Sequence, residues 1–140
     1  MSVCSNAYGR GHAMQDRRYA LLVEDELLVA MAATEVLDEL GFPVLEAASA
    51  ARALELAQVH RGAIAFALVD LGLPDLPGED LIRKLRALYP ALPIIIATGR
   101  GLAAIDASIR SLQNLTIMTK PYDFEDLRAA IEPFGNASPA

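Results

Sequence analysis

Five short apolar runs punctuate the chain at Tyr19–Val23, Val44–Ala47, Ile64–Val69, Pro93–Ala97 and Thr116–Met118. The longer ones are rich in Val, Ile and Leu and do not alternate with polar residues, the pattern of strands buried on both faces of a parallel sheet. The stretches between them carry a helical period. The first helix is expected from near Glu26 to Leu40, with a stripe at Val29, Ala33, Val36 and Leu40 and a stop at Gly41. Ser49 has the right chemistry to cap a second helix reaching Val59, with Ala53, Leu54 and Ala57 inward. A third opens at Gly78 and runs to Leu88 on Leu81, Leu85 and Leu88; Tyr89-Pro90 closes it, since a residue before proline avoids helical geometry. A fourth is expected over Leu102–Leu112 on Ile105, Ile109 and Leu112, and a fifth over Asp123–Phe134 on Phe124, Leu127 and Ile131. Strands alternating with helices predict an α/β fold, a doubly wound five-stranded parallel sheet with five helices. It forms one domain over 18–135, with a flexible tail at 1–17 and a frayed end at 136–140.

Where the apolar runs end, charge begins. Leu21-Leu22-Val23 leads into Glu24-Asp25, and Ala67-Leu68-Val69 leads into Asp70. The fourth run ends on Thr98, and the fifth leads to Lys120-Pro121. Ligands of such sheets bind beyond the carboxyl ends of the strands, at the switch point in strand order. If the first and third strands are neighbours, three carboxylates converge there, and two unit charges ~4 Å apart repel by about 4 kcal/mol at an effective dielectric of ~20. Such an edge calls for a cation. Carboxylates, a hydroxyl and an ammonium together suit a phosphate and a divalent metal. Taken singly, each has an ordinary alternative: an acidic pair opening a helix, favoured by the dipole, a turn aspartate, a threonine at a strand end, a lysine at a strand end.

Val23-Glu24-Asp25-Glu26, Asp70-Leu71-Gly72-Leu73-Pro74 with Gly78, Ala97-Thr98-Gly99 and Lys120-Pro121 together resemble a bacterial response-regulator receiver (CheY-like) domain. The separations of 45, 28 and 22 residues between Asp25, Asp70, Thr98 and Lys120 agree with that family, and the resemblance covers about Arg18–Phe134. It implies that Asp70 is the phospho-accepting nucleophile and that Asp25, Asp70 and the backbone carbonyl of Gly72 ligate Mg²⁺, with Glu24 holding a metal-bound water. It implies that Lys120 and Thr98 contact phosphoryl oxygens, that Pro121 is cis and that Pro74 and Gly78 shape the loop after the nucleophile. The phosphoryl donor would be a sensor histidine kinase, a histidine phosphotransfer protein or both. His12 and His60 lack ligand-like neighbours and read as solvated.

Two departures stand out. The receiver aromatic on strand five is replaced by Ile117, so a threonine-to-aromatic relay is not expected. Ile96-Ala97-Thr98-Gly99-Arg100-Gly101 partly matches a branch of single-domain regulators with a Phe-Ala-Thr-Gly-Gly-Tyr motif. Switching is then expected to rest on ordering of Gly99–Leu112, with Arg100 either tuning phosphoaspartate hydrolysis or an ordinary loop residue.

Composition narrows the field. Lys and Arg number 12 against 18 Asp and Glu, a formal charge of −6 without a basic stripe, which argues against nucleic acid as a partner. No apolar run nears the ~20 residues of a bilayer span, and the single Cys4 precludes an internal disulfide, so a cytoplasmic setting is expected. The alternative of a nucleotide- or flavin-binding enzyme rests on Gly99-Arg100-Gly101-Leu102-Ala103-Ala104, which fits G-x-G-x-x-A but follows the fourth strand and leaves the acidic trio unexplained. The expectation is a stand-alone response regulator, monomer or weak homodimer, that signals by partner docking or phosphate relay. It would be no enzyme beyond assisting its own phosphorylation and dephosphorylation.

Overall fold

The computed structural model describes residues 18–99 and 105–134. The tail at 1–17 with Cys4 and His12, residues 100–104 of the glycine-rich run, and the end from 135 on lie outside the described residues. Five strands, β1 (Tyr19–Val23), β2 (Val44–Ala47), β3 (Ile64–Asp70), β4 (Ile94–Thr98) and β5 (Leu115–Thr119), form one parallel sheet in the order β2-β1-β3-β4-β5. Among the described residues five α-helices connect or follow them: α1 (Leu27–Glu39), α2 (Ala50–Val59), α3 (Gly78–Leu88), α4 (Ala107–Arg110) and α5 (Phe124–Ile131). The doubly wound, flavodoxin-like fold is as expected. The chain order reverses between β1 and β3, so their carboxyl ends lie side by side with α1 leaving β1 and α3 leaving β3 to opposite faces.

Alternate strand residues feed two cores. Leu21, Val23, Ala67, Val69, Ile94 and Ile96 pack with α2, α3 and the buried Ile105 and Ile109. Ala20, Leu22, Phe66, Leu68, Ile95 and Met118 pack with α1 and α5. β3 and β4 are almost wholly buried, which is why their sequence is apolar without alternation. Among the described residues no helix is long and apolar enough to cross a membrane.

Several helix faces differ from the expected stripes. In α1 the buried residues are Ala30, Ala33, Val36 and Leu37, while Val29 and Leu40 are only half-buried. The small Ala30 and Ala33 let the helix approach the sheet closely, and Leu27, Leu28 and Met31 are left exposed. In α2, Leu56 is buried where Leu54 is only partly so. Leu88 of α3 and Leu112 are half-buried rather than core. Phe124 is exposed rather than inward: it is the first residue of α5, whose direction is set by a reciprocal capping box between Asp123 and Asp126. The Arg128 guanidinium lies 5.9 Å from its ring centroid. The helix turns 3₁₀ over Glu132–Phe134, where Pro133 cannot donate a backbone bond. Among the described residues of the expected fourth helix only Ala107–Arg110 is helical, and Leu112 lies beyond it; the expected start at 102 lies outside the described residues. Asp106 caps it, accepting from the Ser108 amide, and Arg83 of α3 holds the Asp106 carboxylate at 2.6 Å.

Gly78 is required by close approach. A Cβ there would lie 2.5 Å from Leu71 Cα and 2.6 Å from Leu71 Cδ2, so backbone as well as side chain would have to move. The Gly78 amide donates to the Leu71 carbonyl at 3.2 Å, seating α3 directly on the end of β3. Gly78→Ala should therefore destabilise the domain by about 1–3 kcal/mol, the usual cost of overpacking, outweighing the helix propensity it gains. The urea midpoint should fall; an unchanged or higher midpoint would show that the loop gives way freely.

Candidate functional site

Parallel pairing of β1 with β3 (Val23 opposite Val69) brings the two acidic strand ends together. A carboxylate oxygen from each of Glu24, Asp25 and Asp70 lies within 4.8 Å of the others. Pairing of β3 with β4 sets Asp70 beside Ala97, and β4 with β5 sets Thr98 beside Thr119, one residue before Lys120. The Lys120 amide donates to the Thr98 carbonyl at 2.7 Å, and the Lys120–Pro121 bond is cis. All the candidate residues thus reach one rim. Asp25, Asp70, Gly72, Thr98 and Lys120, with Glu26 and Gly99, line a cleft of about 380 Å³.

Electrostatics organises this rim. Glu24, Asp70 and Thr98 are buried, Asp25 and Gly72 are exposed, and Lys120 is intermediate. The Lys120 ammonium stands 3.3 Å from Glu24 Oε1 and 3.3 Å from Asp70 Oδ2, forming the bridge that makes their burial tolerable. Glu24 accepts at its other oxygen from the Glu26 amide at 3.1 Å, and Asp70 Oδ1 accepts from the Gly72 amide at 3.1 Å. Burial pushes the Glu24 pKa up; the Glu26 amide works against this, the Asp70 charge adds to it, and Lys120 opposes it, with a net rise above the ordinary value. For Lys120, burial works to lower the pKa, but the charges and hydrogen bonds of Asp70 and Glu24 outweigh it and raise it. The half-buried Tyr122 hydroxyl is pushed up by desolvation and then by the Glu24 charge.

When all are ionised, three carboxylates and one ammonium leave two negative charges, which a divalent cation neutralises. The donors are all hard oxygens, the set preferred by Mg²⁺ and Ca²⁺. Asp25 is exposed at the mouth of the cleft, where an ion held there would also meet water.

Two residues of the rim were not singled out from the sequence. Glu26 Oε1 lies 3.8 Å from Lys120, a third anion beyond Glu24 and Asp70, with its side chain largely exposed. Its only signal in the chain is the run of three acids. Asp75, in the loop after β3, accepts from the amides of Ala50 and Ala51, and linear spacing carries no trace of this pairing. His60 is half-buried rather than solvated: it ends α2 and packs its ring 4.9 Å from Tyr19. Ile117 sits half-buried against the α2–α3 core.

The charge balance makes a pH-dependent prediction for protein free of divalent ions. Lys120→Met leaves Glu24 and Asp70 buried without their cation, and should cost about 2 kcal/mol at pH 7, below the usual 3–5 for a broken buried pair because Lys120 is partly solvated. The Glu24 pKa in the fold lies above its unfolded value of 4.5. The fold therefore disfavours the charged form: the cost is present above the folded pKa and vanishes as pH falls to the unfolded value. Urea midpoints should show the variant's deficit shrinking from pH 7 toward pH 4.5; an equal deficit at both would contradict the account.

The sequence and the fold recur in known proteins. The family model described as response regulator receiver domain matches residues 20–132. The two-component response regulator PhoP of Pseudomonas aeruginosa is 35% identical over 112 residues, covering 79% of this chain and 48% of that protein. The sensor kinase CckA of Brucella abortus is 30% identical over 80% of this chain but 12% of its own length. Sporulation initiation phosphotransferase F of Bacillus subtilis is 24% identical over 81% of this chain and 90% of its own. The chain thus spans half or less of some relatives and nearly all of another. A receiver-domain structure from Clostridium thermocellum superposes with a TM-score of 0.75 at 25% identity, covering 84% of this chain and 93% of that one. The receiver of hybrid histidine kinase CckA gives 0.70 at 28%, covering 83% and 97%. On its sequence, its fold and the rim they build together, the chain belongs to the response-regulator receiver domain family.

Proposed function

We propose that the domain is the phospho-acceptor of a two-component phosphorelay, with Asp70 as the nucleophile. The observation that carries this is the placement of Asp70: a buried carboxylate at the floor of an open cleft, 3.3 Å from the Lys120 ammonium and clustered with Glu24 and Asp25. An Asp70 oxygen attacks phosphorus of a phosphohistidine as the P–N bond breaks. The bonding pair leaves with the imidazole nitrogen, which takes up a proton, and an acyl phosphate remains on Asp70. Charge on the transferring group is the main obstacle, so catalysis is positioning and electrostatics.

Asp25, Asp70 and the Gly72 carbonyl would hold Mg²⁺, with Glu24 acting through a water, and the bound ion would supply charge neutralisation at the phosphoryl oxygens. Lys120, already between Glu24 and Asp70, turns its ammonium to a phosphoryl oxygen. Thr98, buried at the end of β4 beside the cleft, offers its hydroxyl to another. The donor in this reading is a sensor histidine kinase or a histidine phosphotransfer protein in the cytoplasm. The near end-to-end similarity to a phosphotransferase favours relay or partner docking as the output. The reaction consumes the protein's own side chain and is not metabolic turnover.

Asp70→Asn should take up no phosphoryl group from acetyl phosphate with Mg²⁺, while remaining folded by circular dichroism. Intact-protein mass spectrometry should find the added phosphoryl on the wild type alone. Acid-labile phosphorylation of the folded variant to the wild-type level would move the nucleophile elsewhere.

A further inference from the structure

The loop from Leu71 to Pro77 joins the nucleophile strand to α3. At its start Leu71 is buried, and the Gly72 amide is tied to Asp70. At its end the Gly78 amide is tied back to the Leu71 carbonyl. Between these points Gly72, Pro74 and Asp75 are exposed, and Leu73 and Leu76 only partly buried. Apolar burial therefore holds the middle of the loop weakly. Asp75 is clamped instead: Oδ1 accepts from the Ala50 amide at 2.9 Å and Oδ2 from the Ala51 amide at 3.0 Å. One bond per oxygen fixes the plane of the carboxylate as well as its place.

The anchor is rigid. α2 is packed on the sheet through Ala50, Ala53 and Ala57, all fully buried. That helix already has a cap of its own, since the Ser49 hydroxyl accepts from the Arg52 amide. Ser49 serves only the third amide of that end, and Asp75, reaching across 25 residues from the loop, serves the first two. The two amide bonds lower the Asp75 pKa, keeping it charged. What this contact uniquely does is tie the loop after the nucleophile to the body of the domain.

We propose that Asp75 is a positioning residue for the metal site: its clamp on α2 holds the loop so that the Gly72 carbonyl stands where Mg²⁺ needs it. The proposal rests on the Mg²⁺-dependent reading of the site given above. Mg²⁺ demands near-octahedral oxygens at about 2.0–2.1 Å, so a loop free to drift by a few tenths of an ångström weakens a backbone ligand that no side chain can replace.

Isothermal titration calorimetry with Mg²⁺, at a temperature where every protein is folded, separates this role from helix capping. Asp75→Ala should weaken Mg²⁺ binding by roughly tenfold, the lower end of what loss of a group supporting a metal ligand costs. Asp75→Asn keeps one carbonyl acceptor and should fall between that variant and the wild type; it carries the comparison if the alanine variant does not fold. Ser49→Ala removes the helix's own cap and should lower the urea midpoint with Mg²⁺ affinity unchanged. Both Asp75 variants binding as tightly as wild type would overturn the proposal, and so would an equal loss of affinity in Ser49→Ala. Wild type that takes up no Mg²⁺ would defeat the underlying reading, and is distinguishable from these.

Discussion

One ammonium group between two buried carboxylates sets the terms for the rest of this domain. Lys120 can reach both Glu24 and Asp70 at 3.3 Å only because β1, β3, β4 and β5 lie parallel with their carboxyl ends on one rim. An antiparallel strand would have carried one of these groups to the far side of the sheet. The charges are therefore a consequence of the topology, and their mutual repulsion is a strain the apolar sheet carries. That strain is useful. In the proposed function, surplus negative charge at an open mouth would draw a divalent cation, and the cation would let an anionic phosphoryl group approach the Asp70 carboxylate.

The supporting structure serves the same rim. Gly78 lets α3 sit on Leu71, so the loop bearing Gly72 is short and anchored at both ends. Asp75 adds a third anchor to α2. On the same face Arg83 fastens the short α4 through Asp106, and Arg86 donates to the carbonyls of Leu92, Gln113 and Asn114. Desolvation lowers the Arg86 pKa, yet its role is to satisfy backbone oxygens where the chain enters β4 and β5. The Tyr89 hydroxyl does the same at the end of α2, donating to the Ala57 carbonyl and accepting from the Gly62 amide.

Much of this was legible in the chain because the signal was local. Runs such as Ile94–Ala97 have no polar partner face, which identifies a buried parallel strand, and a charge straight after such a run marks the sheet edge where ligands bind. The placing of Glu24, Asp25, Asp70, Thr98 and Lys120 on one edge followed from strands running parallel, whereas the neighbouring of β1 and β3 that joins the carboxylates was a condition until the strand order supplied it. The helix faces were read less well. Alanine is weakly hydrophobic in a stripe count, so Ala30 lost to Val29, although close packing on the sheet favours the small residue. Phe124 misled for the opposite reason: its size suggested burial, but the capping box of Asp123 and Asp126 places it at the exposed helix start. The contacts of Asp75, Arg86 and Tyr89 are long-range polar bonds to backbone, and no pattern in the linear sequence encodes their partners.

The central claim is that surplus negative charge at the rim is a built-in affinity for Mg²⁺. Thermal unfolding of the wild type and Asp25→Asn, each measured in chelator and then across a Mg²⁺ series, tests it most directly. A cation that binds only the folded state stabilises it by RT ln(1 + [Mg²⁺]/Kd). The account predicts a wild-type midpoint that climbs with Mg²⁺, and a variant that starts higher in chelator and climbs much less. A wild-type midpoint indifferent to Mg²⁺, or a variant that gains as much as the wild type, would contradict it.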